Sequence, residues 1–392
     1  MMDISKTIKI GRGQFQTSPF FEKFANDKIV MGVYAGRSYP ITWGQNTLET
    51  YRALRTESVL FDVPERPVEI CGPDALKLLE KVLARSISNL KIGKARYAIA
   101  CLENGGILMD GVVMHLEKNR YWYVKADGEF DTWLKAHANG LDVQIIDPNS
   151  WVLQLQGPTS LKVMKTATNG MLNEDFGYFN VGWFEIGGQQ LLVSRSGWTG
   201  ELGYEIYTQG AKTNAHALWD FLLESGQNNG LISSALDSMN IRRIEAGICN
   251  NLTDIDETMT PFQAGLGALV DLEKSNFIGR EALINANRDC LLFGFRTLPG
   301  KSTKNFDDID LTGSELYIEK KSVGKITASA VSPYLQCLIG YVRLYQEDNW
   351  IGKLAKIFNY DGGSSEVQIC ELPFYDQEKD IPRNFNGKGP AF

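Results

Sequence analysis

The sequence predicts an α+β protein of two or three domains, and three observations carry that expectation. The chain has 392 residues, 43% of them hydrophobic, which is enough material for more than one core. A strand-like run, a Gly-Pro pair and a helix with apolar spacing occur twice, in Val68-Glu69-Ile70-Cys71-Gly72-Pro73-Asp74-Ala75-Leu76-Lys77 and in Leu153-Gln154-Leu155-Gln156-Gly157-Pro158-Thr159-Ser160-Leu161-Lys162. From about Arg288 the texture changes to short strands separated by glycine and charged turns, the pattern of a small antiparallel barrel or sandwich.

In chain order, residues 1–18 are polar and weakly anchored until Pro19-Phe20-Phe21. Residues 46–55 read as a helix and Leu60-Phe61-Asp62-Val63 as a strand. Just before them Tyr34, Tyr39 and Trp43 lie close together, equally suited to packing against a neighbouring domain and to lining a substrate pocket. In the first echo Leu76, Leu79 and Leu83 share a helical face, and proline suits the first turn of a helix, where its missing N–H costs nothing. The echoes open two related α+β units near residues 65 and 150. Between them 97–102, 111–116 and 121–126 read as strands, turned at Gly105-Gly106 and Lys118-Asn119-Arg120, with Trp122, Tyr123 and Trp133 as core. Residues 214–225 and 233–246 read as helices. Ser233 or Ser234 would cap the second and Gly247 stop it, placing Arg243 in its last turn. Strands are expected at 291–298, 316–318, 325–330, 338–344 and 353–358, and the polar tail 377–392 is expected to wrap loosely.

Composition narrows the function. A net charge of -7 argues against general affinity for nucleic acid, which needs clustered Lys and Arg. The six cysteines are scattered without a C-x-x-C pair, so neither a zinc site nor a disulfide framework is indicated, and no metal is expected. Only three histidines are present, with no H-E-x-x-H or G-x-S-x-G motif. No apolar run is long enough to span a bilayer, and Met1-Met2-Asp3-Ile4-Ser5-Lys6 lacks the apolar core of a signal peptide; a cytoplasmic protein with no membrane partner is expected.

One stretch stands out: Ser194-Arg195-Ser196-Gly197-Trp198-Thr199-Gly200-Glu201-Leu202-Gly203-Tyr204-Glu205-Ile206-Tyr207. Its three glycines permit positive φ and close backbone approach, so the chain can double back and set a carboxylate beside aromatic rings. Glu205 is the candidate: its two acceptor oxygens match an edge with two parallel N–H donors, such as a pterin presents. A tight hairpin with solvated acids would look the same from the loop alone.

This loop resembles the R-x-G-Y-T-G-E-x-G-Y/F-E-I signature of the T-protein (aminomethyltransferase) family, with Trp198 where Tyr is usual. Collinear matches are Gly93-Lys94-Ala95-Arg96-Tyr97, Asn104-Gly105-Gly106-Ile107-Leu108, Leu155-Gln156-Gly157-Pro158, Arg243-Ile244-Glu245-Ala246-Gly247, and Ser332-Pro333 before Ile339-Gly340. The resemblance implies a three-domain cloverleaf around a central folate channel with a C-terminal β-barrel-like domain: 1–64 plus 151–240 as the first folate-binding domain, 65–150 plus 241–287 as the second, and 288–392 as the barrel. It implies tetrahydrofolate as cofactor, with Glu205 holding the pterin, Tyr97 and Trp198 packing nearby and Arg243 near the folate's carboxylated side.

In the family the Gly-Gly-Ile run continues into two aspartates, the first being the acid near the reactive folate nitrogen. Here that position is Met109, followed by Asp110. A thioether handles no proton, and neighbouring strand residues face opposite ways, so loss of the acid is favoured over its replacement by Asp110. The altered motif, with Arg66-Pro67-Val68-Glu69-Ile70 and Arg120-Tyr121-Trp122-Tyr123, resembles the dimethylsulfoniopropionate demethylase-like branch. The expected reaction is therefore methyl transfer from a small S-, N- or O-methylated donor to N5 of tetrahydrofolate. That donor would lie near Met109, Asp110, Tyr178 and Trp183, with Tyr34 and Trp43 as further contacts. An aminomethyltransferase of glycine-cleavage type and a non-catalytic folate-binding protein are the alternatives.

Overall fold

Two large sheets, a two-stranded ribbon of Val30–Tyr34 and Arg37–Thr42, and a closed barrel share out the strands of the computed structural model, which describes residues 15–298, 310–358 and 363–385. The first sheet has six strands in the spatial order Val181–Ile186, Gln189–Ser194, Gly203–Tyr207, Val152–Gln156, Ser58–Val63 and Leu231–Ser234. The second has five: Lys94–Cys101, Ile107–Glu117, Arg120–Lys125, Arg66–Cys71 and Gln144–Ile146. The sheets meet through an apolar layer drawn from both, with Val59, Phe61, Val152, Leu192 and Tyr207 from the first and Ala95, Met114, Trp122 and Val124 from the second. Alternate residues of each strand point into this layer, which is why both sheets read as half-apolar strands.

The Gly-Pro echo has a geometric basis. Gly72 and Gly157 adopt φ of 127° and 124°, and a Cβ on either would lie 2.6 Å from the Asp142 carbonyl oxygen or 2.4 Å from that of Glu57. Only glycine lets the chain leave the strand there and enter the helices Ala75–Val82 and Ser160–Ala167.

Three expectations change. Residues 231–234 are not the start of a helix: Leu231–Ser234 pairs in parallel with Ser58–Val63, and the helix runs Asp237–Glu245. The main-chain groups of Ser233 and Ser234 are taken up by the sheet edge, so neither serine caps, while Gly247, at φ 68°, does end that segment. The barrel closes through a strand the sequence reading passed over, Ser364–Cys370, whose inward Val367 and Ile369 alternate with polar residues. The tail is not loose as far as residue 385. The Arg195 guanidinium donates to the carbonyls of Pro382 (3.2 Å) and Arg383 (2.8 Å) and stacks on Phe385 at 3.8 Å. Residues 1–14 and 386–392 lie outside the described residues.

The helix Asp237–Glu245 ties sheet to barrel. Glu245 accepts from Tyr51, Ser332 and Tyr375, each at 2.6 Å, and from Arg55 at 3.1 Å. Arg55 and Arg242 both reach Glu201 of the glycine-rich loop, at 3.0 and 2.7 Å. Buried charges persist only when answered in this way.

Candidate active site

The glycine-rich loop takes its shape from a glutamine. Gln156, fully buried, accepts from the Thr199 hydroxyl (2.7 Å) and donates to the carbonyls of Ser196 (3.2 Å) and Tyr204 (3.4 Å). A Cβ on Gly197 would come within 2.1 Å of its Oε1, and one on Gly203 within 2.4 Å. Gly197→Ala therefore forces this pinned amide to move. We expect a loss of about 1–3 kcal/mol, the usual cost of overpacking, seen as a lower midpoint in urea.

Beyond the loop, Glu205 lies in register between Ser194 and Gln154. Its Oε2 accepts from the Ser196 and Tyr207 hydroxyls, both at 2.7 Å, and its Oε1 from the Gln154 amide at 3.2 Å. The same Gln154 nitrogen donates to Glu65 Oε1 at 3.1 Å, while Gln154 Oε1 accepts from the Trp198 main-chain N–H at 3.1 Å. Gln154 thus joins two carboxyls and fixes the loop. Burial pushes the Glu205 carboxyl above its ordinary value, against the pull of Tyr207 and Ser196. Burial and then the Glu205 charge hold Glu65 well above its own.

From the other sheet comes Asp110. Its Oδ2 accepts from the Tyr97 hydroxyl at 2.6 Å and its Oδ1 from the Asn251 amide at 2.9 Å. Burial raises its pKa, opposed by these two donors. Met109 faces the other way, 1% exposed among Tyr123, Phe130 and Leu134 in the core of the five-stranded sheet, where it also lines a cavity of about 630 Å³ with Asp127, Glu129, Trp133 and Asp256. Strand alternation turns Asp110, the neighbour of Met109, toward Tyr97 and Asn251, beside a register shift opposite Ala100 and Cys101. Tyr34 stands between the two acidic groups in electrostatic terms. Its hydroxyl is held protonated by burial first, then by the charges of Asp110 and Glu65.

The remaining expected residues divide. Arg243 is brought to the cluster with its charge already answered by Asp254, its Nε donating to Asn240 at 2.9 Å and its guanidinium 5.3 Å from the Trp198 ring. It lies beside the indole with Asp254 as its counter-charge. Tyr178 lies on the far side of the loop, lining a small cleft with Gly197, Gly200, Arg242, Tyr375 and Lys379. Trp183, on the outer strand Val181–Ile186, is 38% exposed, and Trp43 stacks on Phe24 at 5.0 Å against the apolar core of the six-stranded sheet. Both are packing and surface residues here, which corrects their expected place at the donor. Sequence reading missed Glu65, Gln154, Ser196, Tyr207 and Asn251. A usable signal existed for Gln154, because polar residues at alternate positions of an otherwise apolar buried strand need partners; none marked Asn251.

Known proteins of one family resemble this chain in sequence and fold. The family model described as the GCVT N-terminal domain matches residues 21–274. An aminomethyltransferase from Halothermothrix orenii is 32% identical over 336 residues, covering 83% of this chain and 91% of that protein. A trimethylamine-oxide aldolase from Ruegeria pomeroyi is 31% identical over 353 residues, 86% of this chain; the matched region spans 44% of the aldolase. Among solved structures, the glycine cleavage system aminomethyltransferase T from Bartonella henselae aligns with a TM-score of 0.78 at 26% identity, covering 93% of this chain and 99% of that one.

Proposed function

This chain belongs to the aminomethyltransferase family that carries the GCVT domain, a family of folate-dependent one-carbon transferases, and from that premise we propose that it is a transferase of the aminomethyl type. In this reading it takes a one-carbon unit from an aminomethylated thiol carrier and releases ammonia. The observation that carries it is the Asp110 carboxyl, held by Tyr97 and Asn251 on the face opposite Met109. The methyl-transfer reading rested on an acid missing at position 109, and a carboxyl is available one residue further on.

The residues present fit a pterin. Glu205 Oε1, beside the Gln154 amide, has one donor and a lone pair to spare. Bound tetrahydrofolate supplies the nitrogen that accepts the one-carbon unit. Glu205 would accept from its N–H edge, and Trp198, braced by Arg243, would limit water. Asp110 would hold a proton at an Oδ and give it to the departing amine. Its raised pKa makes it a better donor near neutrality than an exposed aspartate. Tyr97 and Asn251 then stabilise the carboxylate that remains.

A second reading, methyl transfer from a small methylated amine or sulfonium, is favoured by the likeness to the trimethylamine-oxide aldolase. Incubation with tetrahydrofolate and either an aminomethylated lipoyl carrier or a panel of methylated donors separates the two. Methylenetetrahydrofolate with ammonia supports the first, and 5-methyltetrahydrofolate the second. Folate binding without either product would make the chain a non-catalytic folate-binding protein. No helix among the described residues is long and apolar enough to cross a membrane.

A further inference from the structure

Glu65 has no part in the chemistry above, yet it is placed as if it had one. It follows the strand Ser58–Val63, in Pro64-Glu65-Arg66-Pro67, and reaches the same amide nitrogen as Glu205. Its Oε2 is shielded from solvent and unpartnered. A buried oxygen without a protein partner calls for one from elsewhere, such as a water, an ion or a ligand.

The surroundings leave the pair of carboxyls without a counter-charge. Gln154, Ser196 and Tyr207 face it from the six-stranded sheet and its loop, and Tyr34 faces it from the strand Val30–Tyr34, with Asp110 acting on the same tyrosine. Tyr178 feels Glu205 from the loop's far side, beside Arg195 and Arg383. Arg37 donates to the Glu65 main-chain carbonyl, at 2.7 Å, and not to its carboxyl. Two carboxylates this close do not both ionise without a cation. Glu205, with two hydroxyl donors on one oxygen, is the better stabilised anion, so the shared proton falls to Glu65.

We propose that Glu65 is a second pterin-reading group, which donates its carboxyl proton to a ring acceptor while Glu205 accepts from the adjoining N–H donors. A pterin edge presents N3–H and a 2-amino group flanked by the C4 oxygen and N1. A neutral carboxyl beside a carboxylate is its complement, one donor next to two acceptors. This role rests on the assignment of the pterin to Glu205.

Linkage sets the sign. The competent form has Glu65 protonated, so affinity is full below the Glu65 pKa of the free protein and falls as pH rises through it, where binding takes up a proton. The test is calorimetric titration with 5-formyltetrahydrofolate at about pH 6.5 and about pH 8.5, in buffers of small and large ionisation heat. Wild type is expected to bind more weakly at the higher pH and to take up a proton there. Glu65→Gln keeps a donor and loses the titration, so its affinity should stay within about threefold, with no proton uptake and no pH dependence. Glu65→Leu should lose about tenfold to a hundredfold, the cost of leaving a pterin acceptor unsatisfied. Wild-type affinity in Glu65→Leu, or unchanged proton uptake in Glu65→Gln, overturns the proposal; the second measurement decides alone if the leucine variant does not fold. Glu205→Gln in the same titration keeps the two assignments apart. If it binds like wild type, the pterin site itself is wrong; if it binds weakly while Glu65→Leu is unaffected, only the role of Glu65 falls.

Discussion

Glu205→Gln is expected to weaken tetrahydrofolate binding by about a hundredfold, or close to 3 kcal/mol, the upper range for a hydrogen bond to a charged group. The carboxylate is already pre-oriented by Ser196, Tyr207 and Gln154, so a pterin would meet an acceptor needing no reorganisation. An amide of the same shape supplies one acceptor where the ligand asks for two, and turns an NH2 group toward either Gln154 or the ligand's own donors. The fold should survive, because the substitution removes a buried charge and keeps the volume. The apo protein is expected to melt at the wild-type temperature or higher, since burial and the neighbouring Glu65 both disfavour the carboxylate. Calorimetry with 5-formyltetrahydrofolate provides the affinity and a thermal melt the control. Affinity within a few fold of wild type would remove Glu205 from the pterin site.

How much of this could be read from the sequence depended on the range of the interactions involved. Glu205 was accessible because the glycines that shape its loop are local, although their reason, the Gln156 amide that any Cβ would strike, comes from a strand some forty residues earlier. The Gly-Pro echo was accessible for the same reason. Met109 and Asp110 show a different limit. Period-two alternation states that one of the pair faces the core and the other the site, but it does not say which until the partner strands are placed. Ser233 and Ser234 have good capping chemistry, overridden by a parallel partner far away in sequence. Trp43 and Trp183 have the composition of a binding pocket and the environment of a core and a surface. Glu65, between two prolines, has no local pattern that would distinguish it from a solvated turn acid; only its meeting with Gln154 does.

Asp110→Asn is expected to lower kcat by about a hundredfold to ten-thousandfold, the usual contribution of a positioned general acid. Tetrahydrofolate affinity should change little. Asp110 projects from the five-stranded sheet, while the Glu205 and Glu65 carboxyls, joined through Gln154, come from the six-stranded sheet and the segment after its strand Ser58–Val63. Loss of the first should therefore leave binding intact, and loss of the second should leave the proton chemistry intact. Tyr97→Phe removes one of two donors to the carboxylate, and by favouring the protonated form should shift the alkaline limb of the pH–rate profile, where the acid is lost, upward while costing about tenfold or less in kcat. Met109→Leu is the matched control. It conserves volume in an apolar core and should leave turnover within about twofold, whereas a methionine engaged with the donor would not tolerate the change. The measurements are steady-state rates with the donor that proves active, against folate affinity by calorimetry. A fall in affinity for Asp110→Asn as large as its fall in kcat would mean that the carboxyl positions the cofactor and handles no proton. The aminomethyl reading would then lose the residue on which it stands.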